Sequence, residues 1–299
     1  MNEETKALHE LFAAEWDYQM EQYPTWASRL GDRRWNDRWG DRSLDAIDKR
    51  HSHHIEVLTR LRSINREDLS PSDRMNYDLF QKDYENEVEG HRYRWHLIPL
   101  NQLGGVQTAD ELADALRFER LKDYDDWLAR LRALPAYIEQ TTALMREGIK
   151  QQILLPKIVL ERIPTQIDHQ IVSDPKESPF YKPFSHFAGS IAETDRSRLA
   201  SAAEYVIKSE VVPGFRRFKE FFVKDYLPPS PSQVGIWHLP HGEEMYHFAV
   251  RLHTTTNMTP EEIHEIGLRE VARIRDEMQS IIDELVQRFD GRIRGVFAQ

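Results

Sequence analysis

The chain has 299 residues, 40% hydrophobic and 30% charged, which allows a sizeable core and argues against disorder. A net charge of −10, with acids flanking the short basic clusters Arg216-Arg217 and Arg292/Arg294, argues against a nucleic-acid partner. No cysteine is present, so disulfides, thiolate metal sites and a cysteine nucleophile are excluded, and no apolar run approaches the ~20 residues of a membrane-spanning helix.

Helical periodicity dominates from the start. Leu8, Leu11, Phe12, Trp16, Met20 and Tyr23 form one stripe, and Pro24 stops the helix. The acids Glu3, Glu4, Glu10, Glu15 and Asp17 exclude a signal peptide here, so the chain reads as cytoplasmic, or as periplasmic or secreted if a leader was removed. Ser43 caps a second helix, and Ser70-Pro71 opens a third that runs to Gly90. Thr108 to Glu111 has the form of a capping box and predicts a short helix to about Phe118. Residues 122–148 form a long helix kinked at Pro135, and 195–226 form another interrupted at Pro213. A further helix covers roughly 242–252. Thr259-Pro260-Glu261-Glu262 caps a last one, about 45 Å long, which Gly291 ends. Ile153–Leu160 and Ser232–His238 are the candidate strands of a short hairpin or sheet edge. The apolar loops Pro99–Gly105 and Asp174–Phe184 are expected to pack on the body or line a cleft. The pattern predicts an all-α protein: a single helical domain over 1–299, a large array with long kinked helices and minor β pieces. After Gly291 the chain reads as a connection entering a further element, which suggests a longer protein.

Thirteen histidines invite a metal. A helical zinc peptidase site needs His-Glu-x-x-His, which puts both imidazoles and a general base on one face. His9-Glu10 and His264-Glu265 begin that pattern, but Ala13 and Leu268 occupy the second histidine position. Glu-x-x-His occurs at Glu244/His247 and Glu261/His264, a fragment of the di-iron pattern of helix bundles. Glu261 is also where a first-turn carboxylate is expected for the helix dipole. His51, His53 and His54 form a small cluster, read first as helix surface, and Pro240-His241-Gly242 reads first as a turn. The run from His253 through Thr254, Thr255 and Thr256 to Asn257 is either a polar connector or a donor-rich patch facing a substrate. No nucleophile elbow, phosphate loop or dinucleotide fingerprint appears.

Several stretches, taken in order, resemble one family: Tyr23–Asp32, Asp68–Arg74 with Tyr77-Asp78-Leu79, Pro99–Gln102, Ser178–Phe184 and Gly235–Glu243. Tyr246, His253–Thr256 and Thr259–His264 complete the pattern. They are similar to the bacterial domain of unknown function 885 family, whose members look like zinc-dependent peptidases about twice this length. The resemblance implies that this chain is the N-terminal half of such a protein and one wall of a helical, zincin-like cleft. The family's zinc motif lies in the other half, so the implied zinc takes no ligand from a residue here and the chain alone is expected to be inactive. The implied partners are a peptide substrate and the missing C-terminal half, with no nucleic acid and no membrane. Tyr246 and His253 are the candidate transition-state donors. Asn101, Gln102, Phe180, Tyr181, Thr254 and Thr255 are the candidate substrate-binding residues. A non-catalytic helical scaffold and a di-iron helical protein are the alternatives.

Overall fold

A computed structural model describes the backbone of residues 2–296 and the side chains of residues 2–289. The structure is all-α. Its helices are α1 (Glu3–Gln22), α2 (Pro24–Arg29), α3 (Leu44–Arg62), α4 (Pro71–Gly90), α5 (Leu112–Ala115), α6 (Leu121–Gln151), α7 (Lys157–Leu160), α8 (Ile163–Asp168), α9 (Lys182–Ser185), α10 (Glu193–Val206), α11 (Val212–Phe221), α12 (Gly242–Thr254) and α13 (Pro260–Val296). The contacts divide into two compact units, one up to Pro240 and one from His241.

The helix starts follow cap chemistry. The Ser43 hydroxyl accepts from the Ala46 N–H at 3.2 Å, and Ser70 from Asp73 at 3.1 Å. Thr259 and Glu262 form the expected box at the head of α13, each side chain accepting the other's N–H at 3.2 and 2.8 Å. Pro24 ends α1 and also opens α2, because its fixed φ suits a first helical position.

Four expectations are corrected. Thr108 caps nothing: it lies inside a 3-10 segment, Val106–Glu111, with φ −119°, and its hydroxyl donates back to Gly105 O at 3.3 Å. The helix that follows is only α5 and stops before Phe118. Gly291 does not end α13, whose backbone stays helical to Val296; the side chains of the terminal stretch read as a connection lie outside the described residues. The two candidate strands form no ladder: each is a loop leading into a short helical turn, and they touch where His238 Nε2 bonds Leu154 O at 3.0 Å, with Lys157 N donating to Pro231 O at 2.8 Å beside them. Among the described residues the one β feature is the isolated bridge Asn101–Gly104.

Within the first unit, α1, α3 and α4 enclose one apolar cluster built on Leu8, Leu11, Val57, Leu61 and Tyr84. A larger cluster surrounds α6, which packs on α10 and α11 through Trp127, Leu131, Leu134 and Ile138. Gly214 lets α11 approach α6 closely, since a Cβ there would lie 3.3 Å from Ile138 Cδ1. Pro213 is accommodated without ending the helix. The π-helical turn Ile207–Val211 precedes it and widens the spiral where the ring would meet the carbonyl four residues back.

Arg130 ties α6 to the segment around α2. It is fully buried, and its guanidinium donates to Ser28 Oγ at 2.8 Å and to the carbonyls of Arg38, Trp35 and Pro24 at 2.9, 3.0 and 3.2 Å. It also lies 5.5 Å from the Trp39 ring. Burial pulls its pKa down to about 10, which leaves it charged at neutral pH. The first of the family-like stretches, Tyr23–Asp32, thus supplies part of the socket of a buried cation.

Candidate functional site

Tyr246 and His253 are seven residues apart on α12, two helical turns, and so share a face. Tyr246 is half-buried and His253 exposed. The helix is bounded by two non-glycine residues in the left-handed region, His241 at φ 59° before it and Thr255 at φ 56° after it. Pro240-His241-Gly242 is therefore a turn, as its composition suggests. Thr255 is a sharper outlier, because a β-branched side chain disfavours positive φ. The hydroxyl of Thr254 donates to Val250 O at 2.8 Å and accepts from Thr256 N at 3.2 Å, and Thr256 Oγ1 accepts from Met258 N at 3.3 Å. The threonine run thus caps α12 and shapes its connector, with a strained residue at its centre.

Asn101 and Gln102 lie on an exposed tight turn of the first unit. Asn101 Oδ1 accepts from the N–H groups of Leu103 and Gly104 at 2.8 and 3.2 Å, fixing the turn as an Asx motif. Beneath it lies an amide network. Gln107 donates to Asn101 O at 2.8 Å, Gln166 to Gln102 O at 3.0 Å, and Gln170 to Gln107 O and Asp110 Oδ1 at 3.0 and 2.7 Å. Burial raises the Asp110 pKa, with the Gln170 hydrogen bond opposing it. Gly105, at φ 154°, is required here: a Cβ would stand 2.4 Å from Leu100 Cβ.

Phe180 and Tyr181 belong to the core. Phe180 is fully buried between Trp127 and Phe215, and its carbonyl accepts from Trp127 Nε1 at 3.1 Å. Tyr181 is 6% exposed, with its hydroxyl 3.5 Å from Glu204 and its pKa raised, first by burial and then by that carboxylate. The apolar loop Asp174–Phe184 therefore packs on the body, as two 3-10 turns and α9.

The predicted residues form three groups: the turn at 101–102, the core pair 180–181, and the α12 face with its connector. A fourth polar assembly was only half visible in the sequence. Glu15 on α1, 3% exposed, accepts from the Tyr84 hydroxyl of α4 at 2.7 Å and pairs with His53 Nε2 of α3 at 2.9 Å. His53 stacks on Tyr18 at 3.6 Å. His54, 6% exposed, meets the Tyr84 ring edge-on, and burial pulls its pKa down to about 4. His51 stacks on His91 at 3.8 Å, and His91 faces His96, whose pKa burial also pulls down to about 4. Glu15, Tyr84, His91 and His96 carry no local signature; a buried acid on the apolar stripe of α1 is the single sequence cue. Among the described residues no three His, Asp or Glu side chains gather in a metal-holding arrangement.

No curated protein matches the chain. Its fold is similar to a crystal structure described as "the putative lipoprotein from Colwellia psychrerythraea", with a TM-score of 0.76 at 16% identity, over 91% of this chain and 49% of that one. The chain thus spans about half the length of that solved structure. Among the described residues no helix is long and apolar enough to cross a membrane. The profile of the bacterial proteins of unknown function DUF885 matches residues 24–299. The chain belongs to the DUF885 family.

Proposed function

We propose that this chain is the N-terminal helical part of a hydrolase that cleaves peptides, and that it supplies one wall of the substrate cleft. The observation that carries the reading is the α12 face, where Tyr246 and His253 stand two turns apart beside a connector strained at Thr255. Strain in a β-branched residue persists where function needs the geometry. Half coverage of the solved relative supports a second half beyond this one. The metal-binding residues belong to that remainder; zinc there would polarise the scissile carbonyl. The residues of this chain bind and orient. The Tyr246 hydroxyl and the His253 ring donate hydrogen bonds to the oxygen that gains charge as the carbonyl is attacked, and Thr255 beside them offers groups to the peptide backbone. The likeness to a protein described as a putative lipoprotein supports an exported setting.

The test is peptide hydrolysis by the longer protein. With Tyr246→Phe or His253→Ala, kcat is expected to fall about 10²-fold with KM nearly unchanged, as when an oxyanion donor is lost. Unchanged hydrolysis in both variants rejects the assignment. Peptide binding without hydrolysis in the unsubstituted protein favours a non-catalytic binding module.

A further inference from the structure

We propose that the apolar stripe of α13 is the seam on which the second half of the longer protein docks, so that this helix is shared by both halves. The inference rests on the part of the reading above that gives the protein a second half, and not on its chemistry. Val271, Ile274, Met278, Ile281 and Leu285 recur every three or four residues, and each is 45–58% exposed. Over these turns the stripe is about 20 Å long. A row of large aliphatic side chains this regular is the inner face of a helix, not a solvated one.

The width of the stripe selects the occupant. Ile282 and Phe289 broaden it to one side, giving the three-in-seven face of a helix packed in a globular array. A narrow two-position seam, as between two copies of one helix, would instead put Gly267 and Arg288 in line with the apolar residues. Glu270, Glu277 and Glu284 edge the stripe at seven-residue spacing. In an antiparallel pair of copies these rows would face each other, and their carboxylates, already paired with Arg273 and Arg288 of their own helix, would add no attraction across the pair. The solved relative carries about as much chain again as this one matches, which is the material such a face requires.

The absence of cysteine makes any introduced thiol a unique probe in this chain. Thiol-labelling rates at Ile281→Cys in the stripe and at Asp276→Cys on the opposite face would be read by peptide mass spectrometry, in the 299-residue chain and in the longer protein. Both sites are expected to label fast in the short chain. In the longer protein Ile281→Cys is expected to label at least ~10-fold more slowly than Asp276→Cys. Equal rates in the longer protein overturn the proposal. So does protection in the short chain that grows with its concentration, which would assign the face to a second copy. Amide exchange over 268–289 in the unsubstituted proteins gives the same comparison without a substitution. Slower exchange in the longer protein supports the seam, and equal exchange rejects it. A protected seam in a protein without peptidase activity would leave this inference standing and remove only the preceding one.

Discussion

At the scale of single residues, two positions carry unusual conformational or electrostatic demands. Among the described residues no carboxylate is hydrogen-bonded to Arg130; its charge is met by three carbonyls, one hydroxyl and the Trp39 ring. Arg130→Ala would empty a buried socket and take from the Arg38 carbonyl its guanidinium partner, while Pro24 O and Trp35 O keep bonds to Ser28 and Arg38, and is expected to lower stability by about 3 kcal/mol. Arg130→Lys should recover little, because one ammonium cannot reproduce the planar spread of the guanidinium donors. Urea melts of the three proteins check this, and full rescue by lysine would sink the account. Thr255 is the opposite case. A glycine tolerates φ 56° without a Cβ penalty, so Thr255→Gly is expected to raise thermal stability by roughly 1 kcal/mol. If the strain serves the cleft, peptide hydrolysis by the longer protein falls in the same variant. A variant that is less stable than the parent contradicts the claim of strain.

At the scale of elements, local chemistry was legible and non-local chemistry was not. Ser43, Ser70 and Thr259 announce helix starts because a cap bonds a residue three positions on. Thr259→Ala should therefore fray the head of α13, seen as faster amide exchange over about the first turn and a loss of about 1 kcal/mol. Unchanged exchange there would mean the box contributes nothing. Thr108 carried the same signature and misled, because Gly105 and the buried amides beneath it hold the chain in a 3-10 path. The run Ile153–Leu160 is too short for periodicity to separate strand from buried helix, and Pro156 sets up the single turn of α7 instead. At the candidate site, Tyr246 and His253 were named by the family-like stretch that holds both; the helix expected to end near 252 runs on to Thr254 and so carries His253 as well. The partners of the histidines were not: Glu15 lies 38 residues from His53 and 69 from Tyr84, and only packing joins them.

At the scale of the whole molecule, that packing gives an expected response to acid. Three helices of the first unit close around groups that are easier to charge in water than in place. Around His54 stand Arg50, His51 and His53 of α3, Tyr84 of α4, and His91, while Glu15 and Tyr18 of α1 meet the neighbouring His53. Burial is the largest cause of the depressed pKa of His54 and of His96, each near 4, and of the lowered value of His91. An unfolded histidine titrates near 6.5. Between about pH 6.5 and 4 the unfolded chain therefore binds more protons than the folded one, so stability present above 6.5 is lost as the pH falls. Glu87 and Asp110, raised by burial, act in the opposite sense, since protonation relieves them. The lowered carboxylates, such as Asp73 beside His9, lose their contribution only below the ordinary carboxylate range, and so act outside most of this window. The histidines should dominate, with Tm falling by roughly 5 °C or more between pH 7 and 4.5. His54→Phe keeps an aromatic ring against Tyr84 and removes one titrating group. Its Tm is expected to fall less over the same interval, whatever its value at pH 7. Parallel melting curves for parent and variant across the interval would show that His54 is not part of the acid response.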